Sequence, residues 1–159
     1  MWIIRKFVAQ DLEAVKDILL KAEVFSHEEI EVAFEVIDVY LSNPKQRDYE
    51  LYASVDEINS VVGYLCIGST PITKGTFDLY WIAVRPDSVR KGVGRELLKF
   101  AENLVRSKNG RLLVAETSSQ LRYEEARKFY MANGFELVAK IKDYYDVNDD
   151  LLIYGKYLQ

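Results

Sequence analysis

Two apolar segments joined by an amphipathic helix constrain this chain more than any other feature in it. "TFDLYWIAVR", Thr76 to Arg85, has the aromatic and β-branched content of a strand and is closed by Pro86. "RLLVAET", Arg111 to Thr117, is almost wholly apolar, the pattern of a short strand buried on both faces. Between them Leu97, Leu98, Ala101, Leu104 and Val105 form one helical stripe, and Asn109-Gly110 supplies a left-handed stop. Strands linked through helices favour a mixed sheet with helices on both faces.

The remaining segments fit the same plan. "WIIRKFVAQ" reads as a first strand, and "DLEAVKDILLKAE" places Leu12, Val15, Ile18 and Leu19 at helical spacing. "SHEE" is a capping box, with Ser26 and Glu29 able to satisfy each other's backbone N–H groups. It opens a helix carrying Ile30, Ala33, Phe34, Ile37 and Leu41 on one face and ending at Asn43-Pro44. "YELYASVD" and "SVVGYLCIGS" form a hairpin across Glu57–Asn59. "YEEARKFYMAN" is a helix stopped at Gly134, and "FELVAKI" and "LLIYGKY" are final strands joined by a long connection from Lys142 to Asp150. The expected order is β-α-α-β-β-β-α-β-α-β-β. The class is α/β, an α+β mixed sheet in a single domain over residues 1–159.

Charge and cysteine usage exclude several functions. The net charge of −4 implies no general affinity for nucleic acid or acidic membrane. One Cys, Cys66, cannot form an internal disulfide, and with one His, His27, the chain lacks the usual donors for a zinc site or a Cys–His nucleophile pair. Cys66 reads as a small buried hydrophobe and His27 as a surface residue. "MWIIRKF" carries charge by its fifth residue and reads as neither signal peptide nor membrane span, so a cytoplasmic location is expected.

The charge is uneven, however. Arg85 to Arg111 holds eight Lys/Arg against three Asp/Glu, and this basic excess surrounds Gly92-Val93-Gly94 at the start of the amphipathic helix. The first N–H groups of a helix have no internal partner, and the helix dipole places partial positive charge there. Small residues let an anion approach such a terminus, and Arg90, Lys91 and Arg95 add charge. The run fits neither the P-loop nor the three-glycine dinucleotide fingerprint. A glycine-rich helix entry with solvated charges is the alternative reading.

"LYWIAVRPDSVRKGVGRELLKFAE" followed by "EEARKFYMANGF" resembles the GNAT superfamily of acyl-CoA N-acyltransferases, over Thr76 to Leu158. The resemblance implies a GNAT-like domain that uses acetyl-CoA, no metal, and a primary amine as acceptor. The family's pyrophosphate loop, Q/R-x-x-G-x-G/A, falls on Val89-Arg90-Lys91-Gly92-Val93-Gly94, with Val89 in place of Gln or Arg. Ile82, Ala83 and Val84 would then pair with the pantetheine arm through their backbone. Arg127 lies in the second family motif, "ARKFY", and Tyr123 stands where relatives often carry Asn; both are assigned to the cofactor. Tyr130 occupies the position of the family's general acid, with core packing beside Phe129 as the alternative.

An acceptor amine must lose a proton before it attacks. For a lysine-like amine this costs about 4.6 kcal/mol at neutral pH, so a base is expected. Glu116, at the end of a buried strand, is the first choice, weighed against a hydrogen bond to nearby loop groups. Asp78 is the second. Tyr144 and Tyr145 in the acidic Lys142–Asp150 connection would wall an acceptor site, or belong to a solvated loop.

The expected function is acetyl transfer from acetyl-CoA to an amine in a ternary complex. The alternatives are a non-catalytic acyl-CoA-sensing module and a nucleic-acid binder, the last opposed by the acidity of the chain. The sequence leaves open whether the chain forms a homodimer and whether the acceptor is a small amine, an amino acid, an aminoglycoside or a protein amine.

Overall fold

The computed structural model describes residues 1–159. Its strands are β1 (Ile3–Lys6), β2 (Glu50–Val55), β3 (Val61–Ser69), β4 (Thr76–Val84), β5 (Leu112–Ser118), β6 (Glu136–Asp146) and β7 (Asp149–Tyr157). Its helices are α1 (Leu12–Lys21), α2 (His27–Ser42), α3 (Val93–Ser107) and α4 (Glu124–Ala132). They follow one another in the order expected from the sequence, and the seven strands form one mixed sheet, β1-β2-β3-β4-β5-β7-β6. No helix is long and apolar enough to cross a membrane.

Two cores lie on the two faces of the sheet. Leu97, Leu98, Ala101 and Val105 of α3 pack with Phe77, Leu79, Leu113 and Ala115 of the strands and with Tyr130 of α4. Val15, Ile18 and Leu19 of α1 and Ala33 and Ile37 of α2 pack on Leu51, Tyr64, Cys66 and Ala83. The apolar stripes found at helical spacing are therefore the faces that meet the sheet. The capping box also forms. The Ser26 hydroxyl accepts from the Glu29 N–H at 3.1 Å, and the Ser26 N–H donates to the Glu29 carboxylate at 2.7 Å. Asn109, at φ 57°, carries the left-handed stop after α3.

Two boundaries differ from expectation. The first strand ends at Lys6, and Ala9–Asp11 form a 3₁₀ turn. Asp11 is buried there, bridged to Arg5 at 2.7 and 2.9 Å and accepting from the Val8 N–H at 2.9 Å. A carboxylate so held bends the chain out of the sheet. The second difference is larger. Lys142–Asp150 is not a long loop, because β6 runs on to Asp146 and β7 begins at Asp149. Only Val147 and Asn148 remain between the strands. The aspartates that suggested a loop satisfy the amides of an irregular hairpin end. Asp150 accepts from the Asp143 N–H at 2.9 Å, and Asp143 accepts from the Asn148 N–H at 2.8 Å.

Every neighbouring pair of strands is antiparallel except β4 and β5. These two are parallel, and they pair only from Thr76 to Asp78 against Leu112 to Val114. Beyond that point both strands continue, β4 to Val84 and β5 to Ser118, without pairing to each other. Tyr80 is skipped in the β3–β4 register, where Cys66 faces Trp81 and Ile67 faces Leu79, so a bulge sits where the strands part.

Helix α3 holds this arrangement from one side, and fully buried Leu97 is central to it. Leu97→Ala should lower stability by about 3 kcal/mol, the usual size for a core leucine. A lower urea midpoint at unchanged slope would show it, and a loss near zero would mean that α3 is not anchored there.

Candidate active site

The gap between the ends of β4 and β5 opens into a cavity of about 740 Å³. That volume is in the usual range for small-molecule sites. Its walls come from β4 (Tyr80, Trp81, Ile82, Val84), the start of α3, β5 (Glu116, Thr117, Ser118), the Tyr123–Tyr130 region and the α1–α2 loop (Val24, Phe25) with Glu29. A ligand here would lie at the carboxyl ends of two parallel strands, where an open sheet leaves its crevice.

The β4 wall offers free backbone. The Arg85 N–H donates to the Val62 carbonyl of β3 at 2.8 Å. Backbone groups two residues apart point to the same side of a strand. Those of Ala83 and Trp81 therefore also face β3, and those of Ile82 and Val84 face the gap. The Ala83 side chain is buried in the core on the opposite face. Of the three β4 residues expected to pair with a ligand, Ile82 and Val84 turn their backbone groups to the gap and Ala83 turns its own to β3.

At the start of α3 the turn has two left-handed residues, Arg90 at φ 65° and Gly92 at φ 96°. Gly92 caps the helix and takes the conformation without a Cβ penalty. Alternation of this kind gathers successive N–H groups into an anion-binding concavity. Gly94 serves a different purpose. A Cβ there would lie 3.3 Å from the Phe129 ring, in the floor of the cavity. Val89, Arg90 and Arg95 line the opening with the two glycines. Val93 is buried in the core and anchors the turn from below. Lys91 does not line the cavity, although it lies in the exposed turn.

The titratable groups are spread along the cavity. Tyr130 is 8% exposed and sits among Phe129, Phe135 and Tyr154, with ring centroids 5.7, 5.4 and 6.1 Å away. Burial pushes its hydroxyl up to about 12. Glu116 lies on the cavity side of β5, its carboxyl raised above the ordinary range by partial burial and then by the negative charge of Asp78. Asp78 itself is outside the lining and accepts from the Thr70 hydroxyl at 2.7 Å.

Tyr145 lines the cavity and Tyr144 does not; Tyr144 packs edge-on against it at 5.0 Å. Burial, followed by the charges of Glu116, Glu29 and Asp149, pushes Tyr145 up to about 12. Glu29 and Glu116 line the cavity together with Glu125 and Lys128 of α4.

Tyr123 lines the wall, but its hydroxyl donates to the Glu29 carboxylate at 2.5 Å. Arg127 turns away and donates to the Ser118 and Gln120 carbonyls, each at 2.8 Å, holding the loop after β5. Phe25, Glu29, Trp81, Thr117 and Phe129 also line the site and were not expected in it. Glu29 is legible in the sequence only as a capping residue. Nothing local indicates a partner 94 residues away.

The Asp78 effect gives a direct test. Asp78→Asn removes a like charge from Glu116, so the Glu116 carboxyl should titrate at lower pH than in the parent protein. Carbon-detected NMR of the Glu116 carboxyl would measure it, and an unchanged value would assign the shift to burial alone.

A split parallel pair thus lies beside a glycine-bordered helix start on the wall of one cavity. The family model of the acetyltransferase (GNAT) domain matches residues 47–137. A GNAT-family protein of Desulfovibrio desulfuricans is similar over the whole of both chains, at 36% identity and TM-score 0.92. The ribosomal-protein-S18-alanine N-acetyltransferase of Escherichia coli is 23% identical, with TM-score 0.76 over 100% of this chain and 95% of that one. An aminoglycoside 6'-N-acetyltransferase solved with coenzyme A is 18% identical, with TM-score 0.72 over 98% and 96%. These last two share the fold. No curated protein sequence matches the chain. The chain belongs to the GNAT acetyltransferase family.

Proposed function

We propose that the protein transfers the acetyl group of acetyl-CoA to a primary amine, by direct attack while both substrates are bound. The observation that carries this reading is the parting of β4 and β5 beside the α3 start, which leaves unpaired backbone and free helix N–H groups on one cavity. The pyrophosphate of CoA suits the Val89–Gly94 turn, with Arg90 and Arg95 adding charge. The pantetheine arm would continue along β4 against the backbone of Ile82 and Val84. An N–H of that strand aimed at the thioester carbonyl would stabilise the oxyanion formed on attack.

The amine arrives as a cation, and the Glu116 and Glu29 carboxylates in the cavity wall attract it. Glu116, its carboxyl raised by partial burial and then by Asp78, takes the proton directly or through water. The neutral amine attacks the thioester carbon, the tetrahedral adduct collapses, sulfur leaves with the bonding pair, and the second proton of the attacking nitrogen passes to the thiolate, directly or through water. Tyr130, in the cavity wall, would meet that sulfur. A phenol near 12 keeps its proton beside a thiolate of about 8.5, so Tyr130 stabilises the departing sulfur by hydrogen bonding. Tyr144 and Asp78 stand behind Tyr145 and Glu116 as supporting groups of the acceptor end.

Tyr130→Phe should keep fold and CoA affinity while turnover falls about 100-fold, the low end for a positioned proton donor. Normal turnover would remove the hydroxyl from the mechanism. Gly94→Val should weaken CoA binding more than tenfold by calorimetry, by filling the space beside Phe129. An unchanged affinity would move the pyrophosphate elsewhere. The acceptor would come from a screen of amines with acetyl-CoA, read by thiol release. Binding of CoA with no release on any amine would favour an acyl-CoA-sensing role.

A further inference from the structure

A second cavity, of about 540 Å³, lies where β1, the α2–β2 loop and the end of α3 meet, and it shares no lining residue with the first. Three cations reach it from these three segments: Lys6, Arg47 and Lys108. Its one carboxylate, Glu50, is already satisfied. The Tyr52 hydroxyl donates to it at 3.2 Å, and Lys108 pairs with it at 3.1 Å. Lys6 and Arg47 have no carboxylate partner, and the lining carries a net charge of +2 (three cations less one anion) in a chain of net charge −4.

The rim is built. The Gln46 side chain accepts from the Asp48 and Tyr49 N–H groups at 3.0 Å and donates to the Tyr49 carbonyl at 2.9 Å. Arg47 donates to the Pro44 and Gln46 carbonyls at 3.3 and 2.9 Å, which fixes its guanidinium at the edge. Three tyrosines, Tyr40, Tyr49 and Tyr52, stand among the polar lining residues. Tyr52 packs against Phe100 at 4.7 Å and Tyr40 against Phe7 at 6.1 Å, so both rings are held in place. Burial, followed by the charge of Glu50, raises the Tyr40 hydroxyl, which stays a donor at neutral pH.

We propose that this cavity is a second ligand site, for a small organic dianion such as a phosphate monoester carrying one ring. Two cations without a carboxylate partner match two negative charges in a protein whose overall charge would repel them. The volume is far larger than a bare phosphate needs, and fixed tyrosine rings give the organic part a surface to lie against.

Phenyl phosphate is the probe, titrated into ¹⁵N-labelled protein. Amide shifts should cluster around Lys6, Arg47 and Lys108, and phenol without the phosphate should bind at least tenfold more weakly. Lys6→Met combined with Arg47→Met should lower phenyl phosphate affinity at least tenfold. Both side chains are exposed, so circular dichroism should be unchanged, and shifts caused by CoA at the α3 start should be retained. Shifts confined to residues 89–95 would assign the phosphate to the first cavity and overturn the proposal. So would equal affinity in the double variant, equal binding of phenol, or no binding at all.

Discussion

The parting of β4 and β5 is the constraint on which the site depends. A parallel pair that continued along its whole length would use the backbone groups of Ile82 and Val84 as ladder bonds and leave no cavity. Here the pair stops after Asp78 and Val114, and the bulge at Tyr80 sits at the point of divergence. Unpaired backbone is costly when buried and useless when fully solvated. Along the wall of an open cavity it is available to a ligand.

Holding two strands apart requires support on both faces. On one face α3 is seated by Leu97, Leu98, Ala101 and Val105, and its first turn is thereby fixed beside the end of β4. The same packing places Tyr130 of α4 under the cavity, against Phe135 and Tyr154. On the other face the α2 cap reaches across the opening. The Glu29 carboxylate accepts from both the Ser26 N–H and the Tyr123 hydroxyl, so a local helix cap and a long-range contact share one group. Edges of the site are thus secured by interactions that also stabilise the fold.

The charge distribution follows from the same geometry. Among the charged residues of the cavity wall, Arg90 and Arg95 belong to the start of α3, Glu116 to β5, Glu29 to α2, and Glu125 and Lys128 to α4.

Order of elements, the helix faces that meet the sheet, the Ser26–Glu29 cap and the glycine turn are all written locally, because each depends on residues within a few positions of one another. Glu116, Tyr130 and Tyr145 could be nominated from strand alternation, motif position and composition, and all three line the cavity. Other features depended on contacts between distant segments. The Lys142–Asp150 segment reads as a loop by composition, yet pairing with β7 and carboxylates bonded to amides make it a hairpin end. Arg127 and Tyr123 look like ligand contacts by position, but one holds the loop after β5 and the other meets Glu29. Where a side chain finds its partner depends on register, splay and packing, which are set by the whole sheet at once. Periodicity and capping act over a few residues, and for that reason they alone were fixed before the chain folded.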